Sequence, residues 1–270
     1  MNLSNRDAPR TDFEGYRLQG ADLSNANYAG ANFEDTKLSG ANLSQSSFEG
    51  ANFEDAVLTG CSMSHSNFQQ ANFSDANLTG VSAAESNFRG AKLEDATLNG
   101  ASLSNSDFTD ANLQSTSLRG ANMSGVNLAN ADLEDSNLSE ANLTEADLTR
   151  VNAEDGVFVA TNLLGANMQG GNFEDAVFKH ATSTQADLTE ANLQNANLKG
   201  ATLHGATLRG ANLEDAIMPD GRTYRDGDDL TRFTGHSEKR KNDEKRKNDS
   251  TADNDDSQPQ EDVVDFDNYD

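Results

Sequence analysis

Seven Glu-Asp pairs are the residues of this chain best placed to do chemistry: Glu34-Asp35, Glu54-Asp55, Glu94-Asp95, Glu134-Asp135, Glu154-Asp155, Glu174-Asp175 and Glu214-Asp215. They are separated by multiples of twenty residues. In a structure that repeats every twenty residues they stack on one side, with like charges about 5 Å apart and about 1 kcal/mol of repulsion per adjacent pair in water at low salt. Either salt or a function must offset that repulsion. Three readings are open. In the structural one, Asp accepts hydrogen bonds from turn amides and Glu is merely solvated. The others make the stripe a ladder for cations or a surface for a basic partner. The glycine-rich calcium nonapeptide that would favour cations is absent from the sequence.

The remaining candidates for chemistry do not converge. His65, His180, His204 and His236 share no spacing with one another or with Cys61, and the sequence contains no nucleophile elbow, phosphate loop or zinc pattern. No catalytic residue, metal or cofactor is therefore expected, and the chain does not read as an enzyme. Cys61 stands where other repeats have Ala, so it reads as a small inward side chain rather than a reactive thiol. A lone cysteine also excludes an internal disulfide.

Acidic residues outnumber basic ones 45 to 20, a formal charge of −25. Residues 11–220 hold 29 of the acidic and 9 of the basic residues. This balance argues against direct nucleic acid binding, which needs Lys and Arg to neutralise phosphates. It favours basic partners or salty surroundings, since the Debye length falls to about 3 Å at about 1 M salt. The composition reads as that of a halophile's cytoplasm. Met1 to Arg10 has no apolar run for a signal peptide, and nothing elsewhere is long enough to span a bilayer, so a cytoplasmic chain without a membrane partner is expected.

What must position the acidic pairs is a five-residue pattern, as in Ala31-Asn32-Phe33-Glu34-Asp35. From Phe13 to Met218 every fifth residue is the large apolar one, 42 positions of which 39 are Leu, Phe, Met or Tyr, and only Ala83, Ala153 and Ser183 depart. The residue two before it is small everywhere but at Tyr16, and is Ala in 26 of the 42 cases. Low hydrophobicity with high charge would ordinarily mean disorder, but such placement of the apolar residues supplies a core. A period of five fits neither 3.6 nor 3.5, so helix is excluded and a coiled β-solenoid remains. Pro9, Pro219 and Pro259 all fall outside 11–218, as a ladder of backbone hydrogen bonds requires.

The pattern resembles the pentapeptide repeat family, whose A-[DN]-L-x-x motif appears as Ala21-Asp22-Leu23, Ala131-Asp132-Leu133 and Ala191-Asn192-Leu193. The resemblance implies an all-β fold, a right-handed quadrilateral β-helix with four pentapeptides per coil. The twenty-residue spacing of the Glu-Asp pairs supports four sides independently. About ten coils at roughly 4.8 Å each would span about 50 Å. Within a coil, Phe73 and Phe88 offset the small Ala83, Phe158 offsets Ala153, and Phe173 and Phe178 offset Ser183, as close packing demands. Glycines close many pentapeptides, where a positive φ is free of steric cost.

Four segments are expected: a lead-in over 1–10, the β-helix over 11–220, a capping segment over 221–236 in which Leu230 and Phe233 cover the last coil, and a disordered charged tail over 237–270. The tail repeats Glu-Lys-Arg-Lys-Asn-Asp twice over 238–249 and carries a short apolar motif, Val263, Val264, Phe266 and Tyr269. An outward apolar patch, Val157, Val159 and Val177, flanks inward Phe158 and Phe178, with Ile217 farther along the same side.

The sequence thus reads as a non-catalytic scaffold for protein–protein interaction. The second reading also follows from the resemblance, because some members of the family protect topoisomerases such as DNA gyrase by presenting an acidic rod in place of DNA. Here about 0.4 charge per Å compares with roughly 0.6 for duplex DNA. Under that reading the partner is a topoisomerase or another DNA-binding protein.

Overall fold

A computed structural model describes residues 1–235. The tail over 237–270, its apolar motif and His236 lie outside the described residues. Throughout, the second residue of each pentapeptide pairs in parallel with the residue twenty positions on, from Asn2 with Asp22 to Asn197 with Ile217. Four pentapeptides therefore make one coil of a β-solenoid, each contributing one short side and one corner.

Three backbone N–H groups per pentapeptide hold adjacent coils together. Phe33 N donates to Asn52 O at 2.6 Å, Asn52 N to Ala31 O at 2.9 Å, and Asp35 N to Glu54 O at 3.0 Å. The third, second and fifth residues supply these donors, while the N–H of the fourth takes no part. That explains Pro9 and Pro219, which both occupy the fourth position and remove no bond of the ladder. The first ten residues, expected as a lead-in, are accordingly part of the solenoid: Asn2 and Asp7 pair with Asp22 and Asn27, and Leu3 is buried.

The third residues fill the interior, with Phe33, Leu38, Leu43 and Phe48 wholly inaccessible. Two aromatic columns run side by side through the N-terminal part. Phe13, Phe33, Phe53 and Phe73 stack at centroid spacings of 4.8–4.9 Å. Tyr28, Phe48, Phe68, Phe88 and Phe108 stack at 4.6–5.5 Å. Between columns the rings meet edge to face, as for Phe48 and Phe53 at 5.5 Å, the arrangement their quadrupoles favour. A second aromatic group, Phe158, Phe173 and Phe178, serves the C-terminal part. There the small residue yields to the ring: a Cβ on Gly171 would lie 2.6 Å from Phe173 Cε2, and one on Gly156 would lie 2.9 Å from Phe158 Cε2.

Every corner closes on a residue with positive φ, whether or not it is glycine. Among the described residues, twenty-seven non-glycine residues adopt this left-handed conformation, Asp35, Asp55 and Ala160 among them. Such a residue costs about 1–2 kcal/mol, so the conformation is imposed by the ladder and not by local preference. Past Met218 the chain reverses at Gly221, and Thr223 pairs antiparallel with Ile217. The one helix among the described residues, α1 (Thr231–Thr234), follows. Leu230 and Thr234 are buried, and Gly205 N donates to Thr234 O at 2.7 Å.

Candidate acidic interaction surface

The register brings all seven Glu-Asp pairs to one corner of the solenoid. Glu occupies the fourth and Asp the fifth position of pentapeptides spaced by twenty, and Glu14 and Asp75 fall in the same columns. This acidic corner therefore holds sixteen of the 29 carboxylates of residues 11–220 and no Lys or Arg. Arg10, Arg89, Arg150 and Arg209 line a second corner, and Arg119, Lys179 and Lys199 a third. The charge is thus segregated around the coil.

The neighbouring side explains how the glutamates are held. Its outward residues include Asn32, Asn52, Asn72, Asn112, Asn152, Asn172, Asn192 and Asn212. At most levels, though not at Asn112, the asparagine does two jobs. Its Oδ1 accepts the turn amide two residues on, as Asn32 does from Glu34 N at 3.2 Å. Its Nδ2 donates to the asparagine of the preceding coil, as Asn192 does to Asn172 at 2.9 Å, and also to that coil's glutamate, as Asn192 does to Glu174 at 3.1 Å. The same double donation links Asn52 to Asn32 and Glu34, and Asn72 to Asn52 and Glu54.

This arrangement overturns the structural reading made from sequence. The turn amide is taken by the residue two before Glu, asparagine at most levels and Asp132 at one, and not by the Asp of the pair, while Glu34, Glu54, Glu134, Glu154 and Glu174 accept side-chain amides. Asp stands in the left-handed fifth position, where its own N–H is engaged by the next coil and its side chain is exposed. The sequence substitutes consistently with the ladder. Where Asn becomes Asp132, the glutamate it would face is Gln114, which avoids two opposed carboxylates, and Gln114 Nε2 instead donates to Glu134 at 3.2 Å. The signal for the asparagine column was a period of twenty at a position two before Glu.

The other residues singled out from sequence stay apart. Cys61 is buried, with its thiol donating to Leu38 O at 3.0 Å, and burial pushes its pKa up to about 11, so it is a poor nucleophile at neutral pH. His65 is exposed and lies 3.5 Å from Glu85. His180 and His204 sit at different corners. Asp22, outside the acidic corner, has its pKa lowered by hydrogen bonds from the Ser24 hydroxyl and amide. Among the described residues no group of three or more His, Cys, Asp or Glu is placed to hold a metal, and no helix is long and apolar enough to cross a membrane. Val157 and Val177 pair in adjacent coils, half-buried, with Val159 at the next turn.

Family models agree with this architecture. A model described as a pentapeptide repeat region matches residues 11–88 and 31–103. One described as pentapeptide repeats in eight copies matches residues 86–125, 121–158 and 184–218. Among solved structures, the chain is similar to HetL, a pentapeptide repeat protein involved in heterocyst differentiation regulation in the cyanobacterium Nostoc sp. strain PCC 7120. The two share 28% identity over 83% of this chain and 94% of that one, with a TM-score of 0.35. Full-length QnrB1, a plasmid-mediated fluoroquinolone resistance protein, is 18% identical over 81% of this chain and 93% of its own, with a TM-score of 0.25. A pentapeptide repeat protein from the Arabidopsis thaliana thylakoid lumen is 27% identical over 49% of this chain and 72% of its own, with a TM-score of 0.24. Comparison with curated proteins gives no match.

Proposed function

The chain belongs to the pentapeptide repeat family, and from that premise we propose that it is a non-catalytic scaffold whose acidic corner binds a basic protein partner. One observation carries this reading: sixteen carboxylates and no cation gather at a single corner. Salt adaptation alone would favour acid on every face. The finer geometry belongs to the same proposal, namely a right-handed solenoid of about ten coils through residue 220, a cap over 221–236, and a separate tail over 237–270. So does a salt-rich cytoplasmic setting.

Within the corner, the two columns divide the work. Glu34, Glu54, Glu154 and Glu174 accept hydrogen bonds from asparagine amides, which leaves the exposed aspartates, Asp35, Asp55, Asp75, Asp95, Asp135, Asp155, Asp175 and Asp215, as the groups a partner meets. Eight aspartates stacked in left-handed positions, where glycine would be easier, are the features a binding role accounts for.

A second reading, DNA mimicry, has its own support in the spacing. Sixteen carboxylates between Glu14 and Asp215, at about 4.8 Å per coil, give about one charge per 3 Å, close to the roughly 3.4 Å per charge of one DNA strand. A topoisomerase such as DNA gyrase, or another DNA-binding protein, is the partner under this reading. The test is a gyrase supercoiling assay titrated with the full chain and with a variant carrying Asp→Asn at 35, 55, 95, 135, 155, 175 and 215. Inhibition by the first and not the second supports mimicry. Equal behaviour of the two removes the corner from the interaction.

A further inference from the structure

The outward residue of each side is polar almost everywhere. Among the described residues the apolar exceptions are Val57, Val157, Val177 and Ile217, and all four lie on one side, the run from Arg17 to Ile217. From Val57 onward that side carries no charged outward residue. Its two edges are opposite in character. The edge before it is the acidic corner, with Glu154, Asp155, Glu174 and Asp175. The edge after it carries Val159, Lys179 and Lys199, and between 159 and 200 has no carboxylate.

An apolar strip bordered by acid on one edge and base on the other is complementary to itself. We infer that this valine side is the contact between two copies of the chain, related by a two-fold axis running along the stacking direction. That operation keeps coils level and exchanges the edges, so the Glu174-Asp175 level of one copy faces Lys179 of the other, and Lys199 falls between the levels of Asp175 and Asp215. A two-fold axis across the coils would set carboxylate over carboxylate. An isologous contact must be self-complementary in this way, and valines at its centre exclude water from the rim charges.

Size sets the strength. From Val57 to Ile217 the side is about 40 Å long and about 15 Å wide, which corresponds to roughly 1,200 Å² buried in total, the low end for a stable interface. A concentration-dependent dimer follows. The contact does not depend on the partner proposed above, and it leaves Glu14, Glu34 and Asp35, which precede its first coil, open.

Sedimentation velocity of the full chain across a concentration series tests the contact, with circular dichroism confirming that each variant keeps its fold. The wild-type chain dimerises. Val157→Asp with Val177→Asp raises the dimer dissociation constant about tenfold or more, and Lys179→Glu with Lys199→Glu raises it similarly. Adding Glu174→Lys and Asp175→Lys to the lysine variant swaps the two edges and restores dimerisation. A wild-type chain that stays monomeric throughout, or folded valine variants that dimerise like wild type, overturns the proposal.

Discussion

The acidic corner and the corner diagonally opposite, which runs from Ser4-Asn5 to His204-Gly205, share one backbone. In both, the fifth residue is left-handed, as Asp35 and Asp55 are in the first and Asn25 and Gln45 in the second. Their chemistry differs completely. The opposite corner carries only two acids, Glu85 and Glu145, among its fourth and fifth residues and, apart from His65, Leu164 and His204, is otherwise built of hydroxyls, amides and small side chains. Inside it, a column of buried serines supports the turns. The N–H groups of Ala26, Ser46, Ser66 and Ser86 donate to Oγ of Ser46, Ser66, Ser86 and Ser106 at 3.1–3.4 Å. Each of these serine hydroxyls donates in turn to a carbonyl, as Ser66 does to Leu43 O at 2.9 Å. Beyond Ser106, where Val126 ends the column, the ordinary turn bond returns, with Ser106 N donating to Leu103 O at 3.2 Å. A corner of this solenoid therefore closes with neutral groups, and the charge of the acidic corner is an addition to what folding asks.

The largest expected effect removes what both corners rest on. Phe68→Ala, which takes one ring out of the stacked column, should cost about 3–5 kcal/mol of stability in denaturant unfolding. Breaking the serine corner comes next. Ser66→Ala leaves the Ser46 amide without its acceptor and should cost about 1–3 kcal/mol, while inhibition in the supercoiling assay is unchanged.

The acidic corner should answer the other way. Asp155→Gly relieves a left-handed aspartate and a stacked like charge, and should gain about 0.5–1 kcal/mol while weakening partner binding. Gln45→Gly at the opposite corner should leave binding alone. Salt gives a smaller difference of the same sign: the melting temperature of the wild-type chain should rise between 0.1 M and 3 M KCl, and should respond less in the seven-fold Asp→Asn variant. A wild-type melting temperature indifferent to salt would contradict the repulsion. The smallest effect is chemical. Cys61, its pKa raised to about 11 by burial, should resist alkylation at pH 8 in the folded chain and react once unfolded.

How much of this was legible in the sequence follows from the strictness of its periods. The core register from Phe13 to Met218 and the gathering of the Glu-Asp pairs could be read directly, because five and twenty admit no slip. The hydrogen bonding of the pairs could not. It joins Asn172 to Glu154, eighteen residues apart and in adjacent coils, and such a link depends on where the fourth side chain of one coil leans, which no single pentapeptide reveals. The place of Pro9 escaped for a related reason, since a proline looks disruptive until the fourth N–H is known to be unused by the ladder. The serine column was likewise hidden among positions classed only as small.

The most direct test moves charge without changing its total. In one variant Asp35, Asp55, Asp135 and Asp155 become Asn, while Asn25, Gln45, Asn105 and Gln185 of the opposite corner become Asp, so the formal charge stays at −25. Displacement of a labelled DNA duplex from DNA gyrase is then measured by fluorescence anisotropy at fixed ionic strength, with the wild-type chain and the variant in parallel. The acidic corner as binding surface predicts displacement by the wild-type chain and its loss in the charge-moved variant. Displacement by the two to the same extent would mean that bulk acidity, and not the corner, does the binding.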